Sequence, residues 1–397
     1  MRIAVLFARL GPYHVARLKA LSRFHSVIAV ELSSANINYA WNSVDVESLT
    51  HVQLPHSNHR EVSKRHLRNT LHHSLDMHEP DVVAVPGWWD PGALAAIKWC
   101  VDREVGVVMM SDSSVMDAPR QWWKEWPKRY IVGLCQSALV AGVRHVDYIT
   151  HLGMPRDKVF VGYDVVDNDY FSAGARRVRS NDASRRRDYN LPESYFLACC
   201  RFVEKKNLFR LLEAYAKYRD RADPDSCWEL VLLGDGPLRP EIEQDLRTRR
   251  LQDSVRMPGF CQYDALPVYY GLAKAFIHAS TREQWGLVVN EAMASGLPVL
   301  VSDRCGCAID LVKEDENGHR FDPYDVESLA SHMVSVSTKP PDVLSAMGCK
   351  SREIINRWTP STFAKNMSRA STIASYQSRT GHDFLGKKIL DIANYVV

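Results

Sequence analysis

Short apolar runs alternate with longer amphipathic stretches along most of the 397 residues. Residues 3–7, 27–31, 51–54, 82–85, 107–110, 137–140 and 158–161 read as strands, and most are separated by helix-length patterns at 13–24, 60–78, 91–101 and 121–133. This alternation predicts parallel strands with helices between them, and ligands at the strands' carboxyl ends. Past Asp169-Tyr170-Phe171 the texture changes. Residues 173–190 are rich in arginine and serine and read as lacking an apolar period, which predicts a linker over 173–192. A second series begins at 195–200. It continues through helix 208–218, strand 228–233, helix 239–249, a short strand at 255–257, helix 265–272 and strand 275–278, and closes with helices at 325–336, 341–356 and 360–376. The pattern predicts an α/β protein of two Rossmann-like domains, 1–172 and 193–376, facing across a cleft, with a tail at 377–397 as an amphipathic helix candidate.

The length suits two domains, and 46% hydrophobic with 24% charged residues is an ordinary globular composition. The formal net charge of +3 changes little, and nothing calls for a nucleic acid partner. Its distribution is more telling. Arg176, Arg177, Arg179, Arg185, Arg186 and Arg187 read as a solvated face or linker. The run 59–73 carries Arg60, Lys64, Arg65, His66, Arg68, His72 and His73 around helically spaced Val62, Leu67, Leu71 and Leu75. That run suits a solvated face, or attraction to an anionic membrane surface or phosphorylated acceptor. Nine cysteines without a CxxC pair point to a reducing compartment, and no histidine stands at ligand spacing from Cys305 and Cys307, so no metal site is expected. No run approaches the ~20 apolar residues of a bilayer span. The expected location is cytoplasmic, free or peripheral on the inner membrane face.

The most informative stretch is 278–303: a strand end, a polar turn, a helix opening near Gly286, a stop at Gly296 and Pro298, and another strand. Glu283 lies in the turn and Glu291 about two turns into the helix, so both can face one ligand. The first backbone N–H groups of the helix, at Gly286, Leu287 and Val288, would point to the same place and suit a diphosphate. Carboxylates beside such a site are natural acceptors for paired sugar or ribose hydroxyls.

Glu283, seven residues, Glu291 and then Ala-Met-Ala-Ser-Gly-Leu-Pro-Val closely resemble the donor-binding signature of retaining glycosyltransferases of family 4, which have the GT-B fold. Other segments fit the resemblance. Arg201 with Lys206-Asn207 looks like the family's basic element for the diphosphate, where charge-assisted bonds to phosphate are strong. Gly234-Asp235-Gly236-Pro237 resembles the loop at the edge of the nucleotide pocket, and Gly259-Phe260 the loop whose backbone receives the base. Gly11, after the first strand, resembles the glycine loop reaching towards the diphosphate and sugar. The departure falls at 111–114, where many members place a histidine and this chain has Ser-Asp-Ser-Ser. Asp112 either takes that place, holding a sugar hydroxyl or receiving the acceptor's proton, or caps the next segment. His14 either lines the acceptor side or is structural. Trp88 and Trp89, in a polar turn, are the choices for acceptor contact, because aromatic faces suit sugar rings.

The resemblance implies transfer of a sugar from a nucleoside diphosphate donor to a glycan, lipid-linked or small-molecule hydroxyl, with retention of configuration. No carboxylate nucleophile is implied. The departing phosphate, held by Arg201, Lys206 and the helix end, would accept the acceptor's proton on the same face, without a divalent metal or cofactor. Glu283 would hold the sugar hydroxyls and Glu291 the ribose diol. Two other readings stand: a silent nucleotide-sugar-binding protein, and an epimerase or hydrolase on the same fold.

Overall fold

The computed structural model describes residues 1–32, 46, 49–54 and 64–377. The expected tail beyond residue 377, and the start of the basic run at 59–63, lie outside the described residues. The chain divides into two compact units, residues 1–165 with 359–397, and residues 166–358.

The first unit is built from β1 (Arg2–Phe7), α1 (Pro12–Leu21), β2 (Ser26–Glu31), β3 (Thr50–Gln53), α2 (Lys64–His78), β4 (Val82–Pro86), α3 (Pro91–Arg103), β5 (Gly106–Ser111), α4 (Trp122–Gly133), β6 (Ser137–Val140), α5 (Val143–His151) and β7 (Val159–Val161). Its seven strands are parallel in the order β3-β2-β1-β4-β5-β6-β7. Strands such as Val82-Val83-Ala84-Val85 are buried on both faces, as continuous β-branched runs between helices require. Leu67, Leu71 and Leu75 of α2 belong to this core, so the apolar stripe of the basic helix is covered by its own domain rather than offered to a membrane.

The second unit contains α6 (Asn168–Arg179), α7 (Asp182–Asp188), β8 (Tyr195–Cys199), α8 (Leu208–Arg221), β9 (Glu229–Leu233), α9 (Arg239–Arg249), β10 (Val255–Gly259), α10 (Leu266–Leu272), β11 (Ala275–His278), α11 (Leu287–Ala294), β12 (Val299–Ser302), α12 (Ala308–Leu311), β13 (Gly318–Phe321), α13 (Val326–Ser337) and α14 (Pro341–Ile355). Its six strands are parallel in the order β10-β9-β8-β11-β12-β13.

Two expectations about the domain limits are corrected. The segment 173–192 is largely helical and belongs to the second unit. Phe171, Ala175 and Val178 form a buried stripe at helical spacing, which the intervening arginines obscure in the sequence. Gly174 lets α6 approach α10 so closely that a Cβ there would lie 2.6 Å from Pro267. The second domain, expected to run to residue 376, ends earlier: α15 (Pro360–Gln377) packs on α1 and on the strands β5 to β7 of the first unit. Buried Phe363, Ala364, Met367, Ala370 and Ala374 drive that packing, and the Ser137 hydroxyl donates to the Ala370 carbonyl at 2.8 Å.

Candidate functional site

In the second sheet β8 and β11 are neighbours in space but not in sequence, and such a reversal of strand order is where open α/β sheets bind their ligands. Three loops at the carboxyl ends of β8, β9 and β11 meet there. The Cys200 amide donates to the Leu233 carbonyl at 3.0 Å and the Phe202 amide to the Asp235 carbonyl at 2.8 Å, tying the first loop to the second. Gly234 has φ +133, and a side chain at that position would overlap the Cys200 carbonyl oxygen. At Gly236 a Cβ would lie 2.6 Å from the Phe202 carbonyl oxygen. Both glycines are thus demanded by backbone crossing backbone. The Asn207 side chain then spans to the third loop, donating to the carbonyls of Ala279 at 3.1 Å and Pro323 at 2.8 Å. Asn207 also takes the left-handed φ of 60° that ends the Glu204–Lys206 turn, a conformation asparagine tolerates.

This scaffold brings Lys206 against Glu283. The Lys206 ammonium donates to the Glu283 carboxylate, whose Oε2 also lies 3.3 Å from His278 Nε2 and 3.3 Å from Ser280 Oγ, with Lys205 Nζ at 3.9 Å from its other oxygen. Burial alone would push the Glu283 carboxyl up, but the His278 hydrogen bond and the Lys206 charge hold it far below the usual carboxylate range. Burial works against the Lys206 ammonium too, and Glu283 more than offsets it, so its pKa is raised. Burial lowers the pKa of His278. Around neutral pH the cluster is therefore a lysine cation, a glutamate anion and a neutral imidazole. The neighbouring Cys200 thiol is pushed up to about 11 by burial and so is no nucleophile.

Next to Glu283, Gly286 opens α11 with φ +107 and no side-chain cap, leaving the helix N-terminus without a competing acceptor of its own. The amides of Leu287 and Val288 belong to this first turn, as expected. Arg201 is half-buried in the first loop, and Phe260 is exposed just after Gly259 at the end of β10. Glu291 is the residue expected to hold the ribose diol. It is 1% exposed, and its Oε2 accepts from the Tyr270 hydroxyl at 2.6 Å. It sits on the inward side of α11, among Val289, Ala292 and Met293, which are buried with it.

The first-unit residues divide. Gly11 precedes α1, and its amide donates to His14 Nδ1 at 3.0 Å. Burial and the nearby Arg17 lower His14 to a pKa of about 3, and its ring lies 4.3 Å from that of Phe7. His14 is therefore a neutral acceptor at the helix start. Trp88, expected at the acceptor, is instead 3% exposed and packs edge-on against Tyr148 at 6.0 Å, because the turn after β4 directs it into the core. Trp89 is the outward one of the pair, with Lys128 Nζ 5.7 Å from its ring. The turn after β5 is capped by Ser114 and Asp117, not by Asp112: the Ser114 amide donates to Asp117 at 2.7 Å and the Met116 amide to Ser114 Oγ at 3.3 Å.

Asp112 is pushed up to about 7, by burial first and then by the charges of Asp164 and Asp117, against the opposing pull of Arg17. An acid protonated more readily in the folded than in the unfolded state stabilises the fold at low pH. That contribution is complete below its unfolded value near 4 and is lost as the pH rises through about 7. Asp112→Asn is expected to remove this fall, so urea unfolding of the variant should be flatter between those limits than that of the parent. Parallel pH profiles would show that Asp112 does not carry the effect.

His278, Lys205, Ser280 and Tyr270 were not foreseen as site residues. The available signal was a polar residue, His278, closing the otherwise apolar strand Ala275–His278. Among the described residues no group of three or more His, Cys, Asp or Glu side chains is arranged to hold a metal ion. All nine cysteines are free, and no helix among the described residues is long and apolar enough to cross a membrane.

Residues 181–353 match the family model described as glycosyl transferases group 1. The second unit is a glycosyl transferases group 1 domain. Within it fall the Lys206–Glu283 cluster, the glycine loop at 234–236 and α11. Curated relatives of this chain include the α-monoglucosyldiacylglycerol synthase of Acholeplasma laidlawii, 28% identical over 168 residues, covering 42% of this chain and 40% of the relative. Another is the N-acetyl-α-D-glucosaminyl L-malate synthase of Bacillus anthracis, 24% identical over 228 residues and 56% of each chain. The chain thus spans less than two thirds of either relative's length. Among solved structures, sucrose-phosphate synthase from Thermosynechococcus elongatus superposes with a TM-score of 0.72 at 18% identity, covering 93% of this chain and 98% of that one. Anabaena HepE in complex with UDP gives 0.70 at 16% identity, covering 93% and 99%. The fold of the chain is GT-B, with both parallel sheets accounted for.

Proposed function

We propose that the protein transfers a glycosyl group from a nucleoside diphosphate sugar to a hydroxyl of a glycan, lipid-linked or small-molecule acceptor, with retention and without a divalent metal. The observation that carries this reading is the Lys206–Glu283 pair beside the uncapped start of α11, at the point where the strand order reverses. An anion and a cation held together there suit a ligand that brings both hydroxyls and a diphosphate. Glu283, kept ionised by Lys206 and His278, accepts from the donor sugar's hydroxyls. Lys206, Arg201 and the first amides of α11 receive the diphosphate. Glu291, oriented by Tyr270, serves the ribose diol. As the acceptor oxygen bonds to the anomeric carbon, the bond from that carbon to the phosphate oxygen breaks, and the acceptor's proton passes to the departing phosphate. Catalysis consists of positioning and of stabilising the leaving charge. Trp89 and Asp112 are the acceptor-side residues of this reading.

The test is calorimetry and thermal unfolding of the whole chain with UDP, GDP, ADP and their sugar conjugates, with and without EDTA. One base is expected to bind and to keep binding in EDTA, and at a hundred times its dissociation constant it should stabilise the fold by about 2.7 kcal/mol. Incubation of that donor with candidate acceptors, followed by NMR of the anomeric proton, reports transfer and its stereochemistry. No response to any of the three bases would overturn the proposal, and so would binding abolished by EDTA for its metal-free part.

A further inference from the structure

The outer face of α4 carries Trp122, Trp123 and Trp126, which are 77%, 54% and 47% exposed. Their rings rest on each other and on the helix rather than on the core: Trp122 meets Trp123 edge-on at 5.9 Å, and Trp126 meets Tyr130 at 4.7 Å. Val115, in the turn that leads to the helix, is also 52% exposed. Large aromatic side chains bury surface readily when a core offers it, so three neighbouring tryptophans turned outward form an apolar patch awaiting a surface.

The charges around the patch identify that surface. Arg129 of α4 is exposed three residues from Trp126 and seven from Trp122, on their side of the helix, whereas exposed Lys124, one or two residues from each ring, lies off that side. The one acid of the helix, Glu125, is turned inward, where it accepts from Lys128 Nζ at 2.7 Å and from the Tyr148 hydroxyl at 2.8 Å and pairs with Arg120. The exposed face is thus aromatic and cationic without an outward carboxylate. A second copy pairing through the same face would bring Arg129 towards a like charge. Tryptophan in particular suits the boundary between lipid headgroups and acyl chains, where one edge of the ring stays wet and its face is buried, and flanking lysine and arginine suit anionic headgroups.

We infer that α4 docks the protein on an anionic lipid bilayer, with Trp122, Trp123 and Trp126 entering the interface and Arg129 engaging the headgroups. The basic helix α2 does not serve this role, since its apolar stripe lies in the core. Docking requires no donor, so it stands or falls apart from the transfer reaction.

The experiment is co-sedimentation of the full chain with vesicles of phosphatidylcholine and of an equimolar mixture of phosphatidylcholine and phosphatidylglycerol, together with tryptophan emission spectra. The protein should sediment with the anionic vesicles and its emission should shift to the blue. Each cation near the surface is expected to contribute about fivefold to the partition constant, so Arg129→Ala should weaken it roughly fivefold. Trp122→Ser, Trp123→Ser and Trp126→Ser together should abolish sedimentation while the melting curve and the nucleotide response stay unchanged. Failure to sediment with the anionic vesicles overturns the inference, as does equal binding to phosphatidylcholine alone, or binding that persists in the triple variant. A dimer of the parent in solution that the triple variant breaks would assign the patch to a second copy instead.

Discussion

Lys206→Ala is expected to lower the rate of sugar transfer by about a hundred- to a thousandfold, the usual cost of removing one group that stabilises a developing negative charge. The same change should weaken the fold. Lys206 and Glu283 have side chains only 12% and 14% accessible, and the lysine is the closest cation to the carboxylate. Without it Glu283 keeps the His278 and Ser280 hydrogen bonds and Lys205 at 3.9 Å, so the loss should be about 1–3 kcal/mol, less than for an ion left wholly unpaired. The pH dependence gives the sign. The folded-state pKa of Glu283 is depressed, so its contribution is present above its unfolded value near 4.5 and is lost as the pH falls. The parent should therefore lose more stability on acidification than Lys206→Ala does. Urea unfolding across that range measures this, and initial rates with the matching donor measure the catalytic loss. Undiminished turnover in Lys206→Ala would remove the pair from the reaction.

The strand and helix series of both units was legible because parallel strands buried on two faces leave short β-branched runs that differ sharply from their amphipathic neighbours. Strand β6 (Ser137–Val140) and helix α9 (Arg239–Arg249) match their expected limits. Elements without that contrast were missed. β13 is the edge strand Gly-His-Arg-Phe, and α5 mixes buried Val146, Tyr148 and Ile149 with exposed charge. The later part of α6 falls in the expected linker because Arg176, Arg177 and Arg179 crowd its buried stripe. The site was legible in its chemistry more than in its burial. Glu283 follows from its place in the turn before α11 and Lys206 from the family resemblance, and their mutual contact depends on Asn207 joining two loops more than seventy residues apart. Whether Trp88 or Trp89 turns inward depends on the turn after β4, where Gly87 takes φ +75. Residue type alone does not distinguish those adjacent rings.

Gly234→Ala should be among the most damaging single changes in the donor loops, and Gly286→Ala a much milder one, although both glycines have positive φ. Alanine in such a conformation costs about 1–3 kcal/mol of backbone strain, partly offset by the 0.4–1 kcal/mol gained from a less mobile unfolded chain. At Gly286 that is nearly the whole effect, because an added Cβ would find its nearest neighbours, Glu283 Cγ, Cys307 Sγ and His278 Nε2, at 3.5, 3.6 and 3.7 Å, ordinary contact distances. At Gly234 the added carbon would overlap the Cys200 carbonyl oxygen, a backbone atom of the neighbouring strand end that no side-chain rotation can withdraw. Relief requires the loops after β8 and β9 to separate, breaking the hydrogen bonds from Cys200 to Leu233 and from Phe202 to Asp235. Each such bond contributes on the order of 1 kcal/mol, so the total loss should reach about 3–5 kcal/mol. The separation would also shift Arg201 and Lys206, so any Gly234→Ala protein that folds should bind nucleotide more weakly than Gly286→Ala does. Equal melting temperatures for the two variants would mean that the backbone crossing at Gly234 yields without cost, and that positive φ alone sets the penalty at both loops.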